Sequence, residues 1–78
     1  MIKLNIILMM QDYLKLLGKN IRNERLSKSF SQEQLAEMIG KTRNYIGMVE
    51  RAELNTSVKS IFEIAKALNV EPKVFFEF

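Results

Sequence analysis

The sequence predicts an all-α fold of five short helices within 78 residues. Three observations carry that expectation. Apolar residues recur at spacings of three and four along most of the chain, the period of one helix face. No six-residue stretch alternates apolar and polar residues with β-branched enrichment, and no Asn-Gly or Asn-like hairpin dipeptide such as Asp-Gly occurs. Residues that start helices stand ahead of the apolar stripes at Ser31, Thr42 and Ser57, with a proline at Pro72.

The first helix is expected from about Asp12 to Leu26, because Leu14, Leu17 and Ile21 share one face. It has room to begin earlier, within the apolar run Ile6 to Met10, and it ends at the polar tripeptide Ser27-Lys28-Ser29. The second helix starts at Ser31, with Gln34 three residues on as in a capping box. Its inner stripe is Leu35, Ala36 and Ile39, and Gly40 ends it because the turn needs a residue tolerant of positive φ.

The third helix, capped by Thr42, runs from Arg43 to about Arg51 with Ile46 and Val49 inward. Only Lys41 and Thr42 separate it from Gly40, so the second and third helices must cross steeply, as in a helix-turn-helix. Ala52 to Thr56 reads as a loop. Ser57 caps a fourth helix, Val58 to Leu68, with Ile61, Ile64, Ala65 and Leu68 facing in. Pro72 suits the first turn of a short fifth helix carrying Val74, Phe75, Phe76 and Phe78.

Composition narrows the function classes. With neither cysteine nor histidine, the chain has no disulfide staple, no cysteine- or histidine-ligated metal and no histidine base. It also has one aspartate, no glycine-rich phosphate loop and no carboxylate pair in a recognisable cleft pattern, so an enzyme, a cofactor and a small-molecule substrate are not expected. The net charge of +3 favours a polyanionic partner. The excess is local: residues 19–51 hold seven Lys/Arg against four Glu, and residues 52–78 hold three Lys against four Glu.

The N-terminal MIKLNIILMM is far too short in its apolar run to span a bilayer, which takes about 20 residues. Gln11 and Asp12 follow it, not a small-residue cleavage site, so no membrane role is expected and the cytoplasm is the expected location. A helix extension, a subunit contact, or a start of translation at Met9 or Met10 are the readings of this segment.

The run SQEQLAEMIGKTRNYIGMVERAELNTSVKSIFEIAKALNVEPKVFF resembles the Cro/C1-type helix-turn-helix family, which includes phage repressors, and the likeness extends from Ile21 to Phe76. Gln32, Ala36, Gly40, Ile46 and Val49 stand at the family's offsets, where Ala36 must be small at the helix crossing. The resemblance implies a five-helix lambda-repressor-like domain, one unit over residues 1–78, with residues 32–51 as the helix-turn-helix. RNYIGMVERAELNTSVKSI and the C-terminal PKVFFEF are most similar to controller proteins of restriction–modification systems. Ser29 departs from the family, whose members usually carry glycine at the end of the first helix. Because serine tolerates positive φ poorly, that turn is expected to take another form.

The family geometry lays the third helix in the major groove of double-stranded DNA, with Arg43, Asn44, Gly47 and Met48 outward. Arg43 is the candidate for a bidentate contact to guanine, worth about 1–3 kcal/mol of discrimination. Asn44 would pair with adenine or bind phosphate, Met48 would touch a thymine methyl, and Tyr45 would reach a phosphate or the groove edge. Gly47 narrows direct readout. The resemblance implies a phosphate contact at Gln32, and Asn55, Thr56, Ser57 and Lys59 form a second candidate phosphate clamp. It also implies a structural ion pair between Arg25 and Glu50. The plainer readings stay open: a solvated arginine at Arg43, a mere N-cap at Ser57, and a solvated face made by Lys19, Arg22, Lys28, Lys41 and Arg51, which otherwise touch the DNA backbone.

A single reading helix covers few base pairs, so a homodimer on a pseudo-palindromic operator is expected. The tail at residues 70–78 is more apolar than the core needs. Helical spacing puts Val74, Phe75 and Phe78 on one side and Phe76 on another, so part fills the core and part makes a two-fold contact, with Val74, Phe76 and Phe78 as the candidates. The alternative is that all are internal. RNA polymerase is a further candidate partner, facing Glu37. A phage-type repressor and an antitoxin-like interaction module with the same fold are the rival functions.

Overall fold

The computed structural model describes residues 2–78, with side chains from residue 9 onward. Four α-helices and one 3₁₀ helix follow in order: α1 (Ile2–Ser27), α2 (Gln32–Met38), α3 (Arg43–Glu50), α4 (Val58–Leu68) and the 3₁₀ helix Pro72–Phe76. The expected class stands, and the fifth element differs in kind. Its bonds run from Val74 N–H to the Glu71 carbonyl and from Glu77 N–H to the Val74 carbonyl, and Glu77 then leaves at φ −83°, ψ 93°. Five residues anchored by Phe75 are too few to settle into an α-helix.

Helix α1 starts well ahead of Asp12, so the extension reading of the N-terminus describes its backbone. The side chains of residues 1–8, and with them the expected subunit contact of Ile6 to Leu8, lie outside the described residues. The start signals operate as the local chemistry requires. Ser31 accepts from Gln34 N–H at 3.0 Å while the Gln34 side chain accepts from Ser31 N–H at 2.8 Å. Thr42 accepts from Tyr45 N–H, and Ser57 from Ser60 N–H, both at 3.1 Å.

All four α-helices end in the same way. Ser29, Gly40, Ala52 and Asn69 have φ between 57° and 70°, in the left-handed region. The next residue in each case donates back five positions: Phe30 to Arg25, Lys41 to Ala36, Glu53 to Met48, and Val70 to Ala65. Ser29 therefore keeps the left-handed turn that serine was expected to avoid. Phe30 packs against the core and its carbonyl accepts from Arg25 Nη1 at 2.8 Å, which offsets a cost of about 1 kcal/mol for a non-glycine residue there.

The core lies where α1, α2, α3 and α4 meet. Ile21, Leu35, Ile46, Ile64 and Phe75 are fully buried, each from a different element. Gly18 sets how α1 enters this core. A Cβ on it would stand 2.6 Å from the Glu50 carbonyl oxygen and 2.7 Å from that of Val49, so α1 crosses the end of α3 backbone against backbone.

Candidate nucleic-acid interface

α3 is positioned by its inward face. Ile46 and Val49 are buried, and Glu50 follows them into the protein. Arg25 donates to Glu50 from Nε at 2.7 Å and from Nη2 at 3.0 Å, a bidentate pair linking α1 to α3. The two side chains are only 7% and 3% exposed, so either charge alone would be stranded. Gln32 completes the site by donating from Nε2 to Glu50 Oε1 at 3.1 Å. That bond ties α2 to the same carboxylate and turns the Gln32 amide inward, leaving one of its two N–H groups for another acceptor.

The outward face gathers Gln32, Arg43, Asn44, Gly47 and Arg51 around one shallow polar cleft. Arg43 and Asn44 are exposed. Asn44 donates to the Met48 sulfur at 3.4 Å, one helical turn on, and Met48 is half-buried. Tyr45 stands apart from them. Its ring packs against the core and Lys41 Nζ lies 5.3 Å above the ring centroid, so it braces the start of α3.

Gly47 is not an open outward position. It is buried, and a Cβ there would stand 2.8 Å from Arg51 Nη1. The guanidinium of Arg51, which sequence reasoning left as either a DNA-backbone contact or part of a solvated face, therefore lies back across α3 into the cleft. Its Nη2 pairs with Glu53 Oε1 at 3.1 Å, and that hydrogen bond, with the carboxylate charge, raises the arginine above its ordinary pKa.

The remaining predicted residues lie outside the cleft. Ser57 is occupied as the cap of α4 and also shares a hydrogen bond with the Ser60 hydroxyl at 3.0 Å. Lys59 is exposed and Thr56 half-buried. Asn55 borders a different groove, with Met10, Tyr13, Leu14, Phe76 and Phe78. In the tail Phe75 is fully buried, Val74 half-buried, and Phe76 and Phe78 exposed. Helical spacing had paired Phe75 with Phe78. The helix ends at Phe76 and the extended Glu77 breaks that spacing, and Phe78 stacks on Tyr13 at 5.8 Å instead. Asn20 was missed: its Nδ2 donates to the carbonyls of Phe75 at 3.0 Å and Glu77 at 3.2 Å, fastening the tail to α1. An asparagine mid-helix announces nothing of the kind in sequence.

The family model described as helix-turn-helix matches residues 21–75. The control protein C.SmaI of Serratia marcescens is 45% identical over 64 residues, covering 81% of this chain and 76% of that one. C.BamHI of Bacillus amyloliquefaciens, also a control protein, is 45% identical over 64 residues, covering 81% and 79%. Among solved structures, the restriction-modification controller protein C.AhdI from Aeromonas hydrophila superposes with a TM-score of 0.81 at 39% identity, over 85% of this chain and 96% of that one. The P22 c2 repressor, solved with a synthetic operator, superposes with a TM-score of 0.71 at 26% identity, over 78% of this chain and 92% of its own. With its short turn between α2 and α3, its buried α1–α3 ion pair and this likeness over most of its length, the chain belongs to the Cro/C1-type helix-turn-helix family.

Proposed function

We propose that this DNA-binding transcription regulator acts as a homodimer on a two-fold symmetric operator and serves as the controller of a restriction–modification system. The observation that supports it best is the division of α3: one side is buried and locked, and the other offers Arg43 and Asn44 to solvent beside Gln32. In this reading Arg43 meets guanine O6 and N7, Asn44 meets adenine or a phosphate, and Met48 meets a thymine methyl. Gln32 gives its second amide N–H to a phosphate, while Asn55, Thr56, Ser57 and Lys59 hold the strand from the α4 side. The controller role rests on the likeness to C.SmaI, C.BamHI and C.AhdI, which carry that description or the name control protein. The working compartment of such a protein is the cytoplasm, where it meets the genome. Contact with RNA polymerase through the exposed Glu37 is the activating arm of the same reading.

The dimer is built from the tail and α1. Phe76 and Phe78 are exposed and line an apolar groove with Tyr13 and Met10, and the half-buried Val74 is the third candidate from the tail. Two copies related by a two-fold axis would set their reading helices about 34 Å apart, one turn of DNA. Selection of bound duplexes from a random pool, followed by footprinting, tests the whole reading. A symmetric site with two half-sites one turn apart is expected, and a pool with no enriched symmetric site would refute it. For the dimer, sedimentation of Phe76→Ala at micromolar concentration should show more monomer than the unaltered protein; an unchanged dimer would remove Phe76 from the interface.

A further inference from the structure

We infer that Arg51 is a second base-reading arginine of this interface, admitted to it by the absent side chain of Gly47 and aimed by Glu53. The inference rests on the proposed DNA-reading role of α3. Gly47 occupies the outward position in the second turn of α3, between Asn44 and Arg51 at helical spacing. Glycine in a helix interior is unfavourable, so the position asks for a reason. Backbone geometry gives none, since Gly47 sits within the regular span of α3 and is not among the residues of positive φ. Apart from the helix's own backbone, the three atoms nearest a Cβ there all belong to the Arg51 guanidinium, the closest at 2.8 Å. Gly47 thus leaves the space that Arg51 fills.

Three features make that placement useful. Arg51 caps the end of α3 four residues after Gly47, so its side chain leans back along the same face as Gly47 and Asn44. Folded across Gly47, it reaches the cleft that Arg43, Asn44 and Gln32 line. Its side chain is 55% exposed, so its remaining N–H groups stay available. Glu53 holds Nη2 at 3.1 Å while Nη1 rests over Gly47, so the guanidinium is fixed at both nitrogens above the helix. A planar guanidinium fixed in this way matches the two acceptors of a guanine edge. Arg51 and Arg43 then read two positions of each half-site, and Glu53 is a positioning residue that touches no base.

The test uses three full-length variants, Arg51→Ala, Gly47→Ala and Glu53→Gln, each put through selection from a random duplex pool beside the unaltered protein. Affinities are then measured for the selected duplex and for a scrambled duplex over a range of salt. Arg51→Ala is expected to lose about tenfold or more in preference for guanine at one position per half-site, while the position read by Arg43 is kept. Gly47→Ala keeps every charge but displaces Arg51. It should show the same relaxed position with an unchanged salt slope, and it should melt no lower than the unaltered protein because the displaced group is the end of a flexible side chain. Glu53→Gln should blur the same position less. Equal loss on selected and scrambled duplexes, with a salt slope lower by about one, would make Arg51 a phosphate contact and overturn the inference. An unchanged base profile in Gly47→Ala would overturn it as well. A wild-type protein that selects no site at all would instead bring down the regulator reading, and this inference with it.

Discussion

The inward and outward faces of α3 differ in how many partners hold each side chain. Inward, Ile46 and Val49 are packed in the core, and Glu50 accepts three hydrogen bonds from Arg25 and Gln32. Outward, and among the described residues, the Asn44 side chain hydrogen-bonds only to the Met48 sulfur, that of Arg51 only to Glu53, and that of Arg43 to none. The inward face therefore fixes where the helix axis lies, and the outward face keeps its donors unspent. A protein that must present groups to a duplex needs both properties on one short helix. The comparison teaches that one side of α3 is held by the fold and the other is left free, and, on the proposed reading, substitutions that affect stability and those that affect recognition should separate along that line.

The largest effect is expected at the buried ion pair. Glu50→Ala strands the Arg25 guanidinium and should cost about 3–5 kcal/mol, seen as a fall of roughly 12 °C or more in Tm. Replacing both partners, Arg25→Met with Glu50→Leu, should recover most of that loss in urea unfolding. If the double variant is as unstable as the single one, the pair contributes more than a cancelled charge, and the inward face is held differently from this account.

The two helical glycines sharpen the contrast. Gly18 faces backbone carbonyls that cannot move aside, so Gly18→Ala should destabilise by about 1–3 kcal/mol through forced separation of α1 and α3. Gly47 faces a mobile guanidinium, so alanine there should leave stability equal or higher by about 0.5–1 kcal/mol. Thermal melts of the two variants side by side check the difference in sign.

A gain of about 1 kcal/mol is expected from Ala52→Gly, because Ala52 has φ 58° without the relief that glycine brings. A loss instead would mean that the Ala52 methyl packs usefully in its half-buried site. The smallest stability effect belongs to the outward face. Arg43→Ala should stay within about 0.5 kcal/mol in unfolding while losing discrimination at one base of the operator. If Arg43→Ala unfolds as readily as Glu50→Ala, the division of the two faces fails.

Much of this fold is legible in single turns of sequence. Ser31 with Gln34, Thr42 and Ser57 each cap a helix within four residues of themselves, so their roles need no distant partner. The stripes Leu35–Ala36, Ile46–Val49 and Ile61–Ile64–Leu68 follow from period alone, and all are buried. Gly40 marked its own turn because only its residue type advertises positive φ. Ser29 and Ala52 adopt the same backbone without the advertisement, because Phe30 docks on the core and Glu53 closes the return bond to Met48.

What the sequence determined by itself was the helix order, the inward stripes, the caps and the family, along with the choice of Arg43 and Asn44 as outward groups. What the tertiary structure decided was where residues far apart in the chain come to stand. Gly18 is required only because the carbonyls of Val49 and Glu50 pass over it. Phe75 and Phe78 part company because the chain leaves the helix at the extended Glu77, whose carbonyl Asn20 ties to α1. The Arg51 guanidinium reaches the outward cleft because Gly47 leaves it room. Periodicity and capping are local and act within a turn, so they can be read along the chain. Close approach of backbones and the folding of a long side chain across a helix depend on the packed whole, and no single turn of sequence contains them.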